Sequence, residues 1–511
     1  MPSPVGILVY RKLQGKMLME IFLSGHSYKY AAEQMLLTLF PEQRTVYVSE
    51  RPRGDGVTIS LRQNERTAAA RTSLRLGGKS CSGRAQVASA RLKDEITTDS
   101  LLQKIIKLSF FRAAMKAGVK CPPWGALTGI RPGKIVLKLF ESGKSPVGAE
   151  RVLANEYYVS PERARLCVET ASESLAAKKS LLPRDICLYI GIPFCPTRCS
   201  YCSFVSHSVE KSTKLIEPYL ENLSREIKAA GVAVKEAGAR VVSVYIGGGT
   251  PTTLSAQQLL ALHADIEASF DLSSLREYTV EAGRPDTITP EKLAALRSAG
   301  VTRISINPQT MQDGVLEAIG RRHTAAQAEE AFELAAKYGF SCVNADLIAG
   351  LPSDSADGFM YSLEKVLSFS PENVTVHDLS LKRGARLGGE TDRAIPPDEE
   401  IGRMFSFAME TLRGKGYSPY YLYRQKFMAG GFENVGWTKP GKINLYNICI
   451  MEELCTILAL GAGGSTKLVN PTTGRIKRVF NPKYPYEYNR DIEKVIANKV
   501  LLSEFYKEEG L

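Results

Sequence analysis

The chain of 511 residues has no apolar run of membrane-spanning length, only two tryptophans and only ten cysteines. A spanning helix needs about 20 predominantly apolar residues in succession, so no membrane partner is expected. Ten cysteines are too sparse here for a disulfide framework. The opening Met-Pro-Ser-Pro-Val-Gly-Ile-Leu-Val-Tyr lacks the basic start and cleavage pattern of a secretory signal. Together these absences predict a reducing, cytoplasmic setting. There is also no internal repeat and no long low-complexity tract. Acidic residues are scarce in one stretch: between Arg51 and Lys93, ten Lys/Arg face only Asp55 and Glu65.

The hydrophobic content is 44% and the charged content 23%, as in a globular protein with ample core, and the length predicts two or three domains. The net charge of +12 is compatible with a polyanionic ligand or nucleic acid. A charge run is more often a solvated face, and nucleic acid is not the expected partner. Three regions differ in texture. Residues 1–183 mix short strand-like runs with helical patterns such as 101–117, and are expected to form an α+β accessory domain. Within them Pro123-Trp124-Gly125-Ala-Leu-Thr-Gly-Ile-Arg131-Pro132 is turn-rich, and predicts a packed loop with an aromatic anchor rather than a lid over a ligand.

Residues 184–384 alternate apolar strand runs, at 186–194, 241–246, 277–282, 301–306, 342–348 and 374–380, with amphipathic helical patterns. In 211–230, for example, Leu215, Ile216, Tyr219, Leu220, Leu223 and Ile227 recur at helical spacing. Such alternation predicts an α/β fold, a partial (β/α)6 barrel with its ligand site at the C-terminal strand ends. Residues 385–511 predict a mostly helical C-terminal extension, with helices at 399–415 and 451–460, the second ended by Gly461-Ala-Gly-Gly464.

The chemistry-bearing stretch is Cys195-Pro-Thr-Arg-Cys199-Ser-Tyr201-Cys202. Its three thiols can hold three corners of an iron–sulfur cube, and an ordinary 4Fe–4S cluster takes one protein ligand per iron, usually four cysteines. Three ligands therefore predict one iron open to a small molecule. A zinc site would need a fourth ligand, for which His207 is the candidate, and the uneven spacing argues against it. Some forty residues on, Gly247-Gly248-Gly249-Thr250-Pro251 follows another strand, and glycines there permit close approach of a ligand. On its own that loop would mark only a turn.

The C-x3-C-x2-C spacing, with Tyr201 before the last cysteine, resembles the radical S-adenosylmethionine (SAM) superfamily. Tyr189, Ile192-Pro193-Phe194, Glu281, Arg303-Ile-Ser305, Gln309 and Asp346-Leu-Ile-Ala-Gly-Leu-Pro352 follow in an order similar to the oxygen-independent coproporphyrinogen III oxidase family, which includes haem-chaperone relatives. The Trp124 stretch and Tyr421-Leu-Tyr-Arg-Gln-Lys426 look like its HemZ-type branch, that of the coproporphyrinogen dehydrogenases. The resemblance implies Cys195, Cys199 and Cys202 as cluster ligands. It implies Tyr189, Tyr201, Gly248, Gly249 and Glu281 around SAM, and Thr250, Gln309, Arg321 and Asp346 where a second SAM sits in the oxidase. It further implies one or two SAM molecules, a tetrapyrrole substrate, and an electron donor such as flavodoxin or ferredoxin. The implied chemistry begins with reductive cleavage of SAM to a 5′-deoxyadenosyl radical. That radical abstracts hydrogen from a propionate β-carbon, and loss of carbon dioxide and one electron leaves a vinyl group. Two rounds convert coproporphyrinogen III to protoporphyrinogen IX in haem biosynthesis.

Two positions depart from the oxidase: Phe204 stands where it has a fourth cysteine, and Gly191 where it has a histidine. Phe204 is shared with the chaperones, so haem binding and trafficking is the rival reading. Their His-Asn-x-x-Tyr-Trp motif is replaced here by Glu433-Asn-Val-Gly-Trp437, with His323 and His377 as the substitute ligands to consider. A radical enzyme acting on another substrate, RNA included, is the third reading.

Overall fold

The computed structural model describes residues 12–13, 16–203, 207–382, 385, 387, 394–426 and 428–511. Two compact units emerge: residues 1–130 with 142–166, and residues 131–141 with 167–511.

In the first unit, strands β1 (Lys12–Leu13), β2 (Lys16–Ser24), β3 (Gln43–Tyr47), β4 (Gly56–Gln63), β5 (Thr67–Leu76) and β6 (Lys79–Ala88) form one sheet in the order β1-β2-β4-β5-β6, with β3 beside β2. Along β5, Ala68, Ala70, Thr72 and Leu74 are buried while Arg71 and Arg75 are exposed. That period of two is the mark of a sheet with one covered and one solvated face. The helices Lys29–Leu39 and Glu95–Lys116 supply the apolar cover, with Met35, Leu36, Ile106, Phe110 and Phe111 in the shared core. Gly83 lets the longer helix lie against β6, because a β-carbon there would meet the Ser109 carbonyl at 2.1 Å. The basic run therefore lies largely on the wet face, where Arg71, Arg75 and Arg84 stand. Trp124 is fully buried in this unit, as an anchor would be.

The second unit is built on a sheet of eleven strands. Six of them, β7 (Asp185–Ile192), β10 (Arg240–Gly248), β11 (Glu277–Glu281), β12 (Arg303–Gln309), β13 (Cys342–Ala349) and β14 (Asn373–Asp378), are parallel and lie side by side in chain order. Between β7 and β10 come the two-residue strands β8 (Phe194–Cys195) and β9 (His207–Ser208), which pair with each other. Helices such as Ile216–Glu236, Ala256–Ser269 and Ala356–Ser368 connect the six. One face of these strands is apolar (Leu188, Ile190, Val244, Ile246, Val280, Ile304, Leu347, Val376). The other carries Tyr189, Tyr245, Glu281, Ser305, Asn344, Asp346 and His377, a polar series whose side chains bond one another. Apart from Ser305 these side chains are only half-buried, so the polar face is the one a ligand can reach.

The C-terminal region is helical as expected, and its strands extend the sheet at both ends. β15 (Ser418–Tyr423) and β16 (Asn434–Thr438) continue it beyond β14, whereas β17 (Thr456–Leu460), β18 (Ser465–Val469) and β19 (Ile476–Phe480) continue it beyond β7. β17 runs parallel to β7. A helix predicted over 451–460 is thereby corrected: the helix is Leu445–Glu452, and the apolar run that follows is β17. Short apolar runs do not distinguish strand from helix by periodicity, and here strand pairing decides. Among the described residues the sheet does not close on itself, and no helix is long and apolar enough to cross a membrane.

Candidate functional site

The cysteine loop leaves the C-terminal end of β7. Cys199 is buried, and Cys195 and Cys202 are half-buried. The loop is pinned by backbone bonds, from Ser200 N to the Ile319 carbonyl (2.9 Å) and from Leu387 N to the Ser200 carbonyl (2.9 Å). Three thiols gathered on one zinc ion would stand about 3.8 Å apart, given Zn–S bonds of about 2.3 Å in a tetrahedron. Among the described residues these three sulfurs do not all lie within 4.8 Å of one another. Phe204 and the side chain of His207 lie outside the described residues.

The glycine loop fits against the cysteine loop. Gly249 N donates to the Ile192 carbonyl (2.8 Å) and Thr250 N to the Phe194 carbonyl (2.7 Å). The Thr250 hydroxyl lies 3.5 Å from the Cys195 sulfur. Gly248 has φ +111°, a conformation open to glycine. A β-carbon on Gly249 would lie 2.5 Å from the Phe194 carbonyl oxygen and 2.9 Å from the Cys195 sulfur. Both positions need glycine, one for conformation and one for space.

Two arginines that sequence reading did not equally foresee meet the loop. Arg284, unnoticed in the sequence, directs Nη1 to the Thr197 hydroxyl (3.0 Å) and approaches the Cys199 sulfur at 4.0 Å, held by a two-pronged contact with Asp286. Its only sequence signal was its place just past the end of β11. Arg321 is buried rather than a surface charge, and donates to the Asn307 carbonyl and to the Tyr201 hydroxyl (3.1 Å).

Along the polar face, Tyr189 stacks with Tyr245 and Tyr446, and Tyr245 donates to Glu281 at 2.6 Å. Burial pushes the Glu281 carboxyl up to about 7, against the pull of Tyr245. Asp346 lies 3.5 Å from His377 Nε2. Burial opposes charge on both, yet the pair bond holds Asp346 low and His377 high. Gln309 takes a left-handed φ of +70° where the β12–β13 register shifts. Its buried Oε1 has no hydrogen-bond partner, and neither does Arg321 Nε. Burial, then the charges of Arg321 and Arg284, depress His323 to about 3. An unsatisfied buried polar group costs about 1–3 kcal/mol, and Gln309 Oε1 with Arg321 Nε fit a polar ligand that would pair with them. Soft thiolates for iron, glycine backbone at close range, and these orphaned donors and acceptors together match the demands of a cluster with SAM.

The segment of the chaperone motif takes a different role. Asn434, on β16, accepts from Asp378 N at 3.2 Å and lies 3.2 Å from His377 Nδ1, while Glu433 and Trp437 are buried.

These features define a radical SAM protein, with a 4Fe–4S cluster and SAM as cofactors, and the family model for the radical SAM superfamily matches residues 189–366. The oxygen-independent coproporphyrinogen-III oxidase-like protein HemZ of Bacillus subtilis is 40% identical over 381 residues, 74% of this chain and 76% of that protein. The chain belongs to the HemZ-like group of the oxygen-independent coproporphyrinogen III oxidase family. The haem chaperone HemW of Haemophilus influenzae is 30% identical over 305 residues, 59% of this chain and 75% of that one. Among solved structures, coproporphyrinogen III oxidase (HemN) from Escherichia coli matches with a TM-score of 0.48 at 22% identity, over 64% of this chain and 73% of that one.

Proposed function

We propose that this protein catalyses the oxygen-independent oxidative decarboxylation of coproporphyrinogen III to protoporphyrinogen IX in the cytoplasm, using a small electron-transfer protein such as flavodoxin or ferredoxin as reductant. What carries the reading is the meeting, at one end of the sheet, of the cysteine loop with Arg284, Arg321 and the Tyr245–Glu281 and Asp346–His377 pairs, in a chain 40% identical to HemZ. When bound, cluster and SAM supply the one-electron chemistry that removes hydrogen from a propionate β-carbon.

The protein's part is binding, orientation and exclusion of competing reactions. Cys195, Cys199 and Cys202 hold the cluster. Gly248 and Gly249 would let the backbone come close to SAM, and Tyr189, Tyr201 and Glu281 would lie beside it. Protonated Glu281 can donate, and ionised Glu281 can accept from a ribose hydroxyl. Thr250, Gln309, Arg321 and Asp346 face a second ligand position, where Arg321 offers its unpartnered Nε to a carboxylate.

Haem trafficking is the rival reading, and three positions weighed for it offer no open imidazole: Glu433 stands in place of the motif histidine, His323 is buried, and His377 is engaged by Asp346 and Asn434. Anaerobic reconstitution with reductant, SAM and coproporphyrinogen III tests the proposal. Protoporphyrinogen with released carbon dioxide is expected by mass analysis. Tight haem binding without turnover would overturn it in favour of a chaperone, and SAM cleavage without vinyl formation would overturn the substrate.

A further inference from the structure

A second group of thiols lies on the polar face at the opposite, N-terminal end of the strands. Cys187 comes from β7, Cys449 from the helix Leu445–Glu452, and Cys455 from the residue before β17. All three are buried, and their sulfurs lie within 4.8 Å of one another, with Cys187 and Cys455 at 3.7 Å. Ala177, Val242, Leu445, Ile448, Leu454 and Ile457 pack in the same cluster.

One buried cysteine is a small hydrophobe. Three from separate segments, turned toward a common point in an apolar shell, are an arrangement that packing alone does not call for. Their spacing also differs in kind from that of the cysteine loop. A tetrahedral or trigonal ion with sulfur bonds of about 2.3 Å places its sulfurs about 3.8–4.0 Å apart, which matches the Cys187–Cys455 separation. The setting is stiff as well: Glu277 caps the start of the helix through Leu445 N (2.8 Å) and Tyr446 N (2.7 Å), fixing the element that carries Cys449.

We propose that Cys187, Cys449 and Cys455 form a second metal site, distinct from the cysteine loop, for a single thiophilic cation of filled d shell, Zn2+ or Cu+. Soft sulfur donors select these ions over magnesium, calcium or manganese. Binding exchanges S–H bonds for metal–sulfur bonds and releases the protons to solvent, with no change of oxidation state. The ion would tie β7, the helix and β17 together beneath the site, and so act on position rather than on the reaction. The proposal stands whether or not coproporphyrinogen is the substrate.

The test is elemental analysis and X-ray absorption on full-length protein purified without oxygen, as wild type and as the Cys195→Ala/Cys199→Ala/Cys202→Ala variant, after equilibration with Zn2+ or Cu+ and desalting. Both proteins are expected to retain one zinc or copper per chain, with a first shell of sulfur at about 2.3 Å, while the variant loses its iron. The element retained distinguishes the two ions. Adding Cys187→Ser and Cys455→Ser should lower retained zinc or copper at least about tenfold, about 1.4 kcal/mol of binding. Wild-type protein that retains neither ion, or holds it with nitrogen and oxygen neighbours, would overturn the site even if the serine variants do not fold.

Discussion

Gly249 lies so close to Cys195 that a β-carbon on it would reach within 2.9 Å of the sulfur and 2.5 Å of the preceding carbonyl oxygen. The glycine loop and the cysteine loop are thus fitted to each other before any ligand arrives. Gly249→Ala has no room to relax, since one obstructing atom is backbone. We expect this variant to cleave SAM about a hundredfold more slowly, the scale of loss for a displacement of about 1 Å. The check is methionine release under dithionite, normalised to iron content. Activity within twofold of wild type would show that the fit is unimportant.

Cys195→Ala, Cys199→Ala and Cys202→Ala should each abolish the brown chromophore and SAM cleavage. Each removes one of the three proposed sulfur ligands, and no other cysteine among the described residues sits on that loop. Iron and sulfide determination on reconstituted protein, beside absorption spectra, decides the matter. A full cluster in all three variants would refute the ligand set.

Glu281 gives a pH dependence whose sign is fixed. Its carboxyl titrates at about 7 when folded against an ordinary 4.5, so the native state holds the proton more tightly than the unfolded chain. The associated stability is present in full below pH 4.5 and is lost as pH rises toward 7, amounting to at most about 3 kcal/mol. Thermal melting of SAM-free protein from pH 5 to 7.5 should show a flatter decline in Glu281→Gln than in wild type. Parallel profiles would exclude this carboxyl as the source.

Glu453 is the hub of a second electrostatic feature. It is 3% exposed and contacts Arg131 (2.5 Å), Lys134 (2.6 Å), Arg478 (2.8 Å) and Lys467 (3.9 Å). Burial opposes its charge, but hydrogen bonds from Lys134 and Arg131 hold it down to about 2. Glu453→Gln strands four cations and should cost about 2 kcal/mol at pH 7, less than a fully buried pair because the partners are partly solvated. Chemical denaturation measures it. The difference should shrink as pH falls from 4.5 toward 2, where wild type loses the same charge.

Much of this was legible in the sequence. The six parallel strands stand within a few residues of their apolar runs, because each run is bounded by turns and followed by a helical repeat. The cysteine and glycine loops were readable because each is contiguous. Arg321 was identified by position, but its burial against Tyr201 was not readable, since the two are separated by most of four βα units. Arg284 escaped for lack of any local pattern. Cys187, Cys449 and Cys455 meet only because β17, mistaken for a helix end, inserts beside β7, and such a meeting of distant segments leaves no periodic trace. Arg131, in a motif read as a packed loop, proves to be an ion-pair partner of Glu453.

The placement of β17 against β7 sets an order on biogenesis. β7 leads directly into the cysteine loop, yet its neighbour on one side, β17, is made only after residue 455. Until then that flank offers unpaired backbone groups, the kind of edge that recruits other chains. Insertion of iron and sulfur should therefore wait for the synthesis of β17, and messages cut short before residue 456 should yield aggregates without colour.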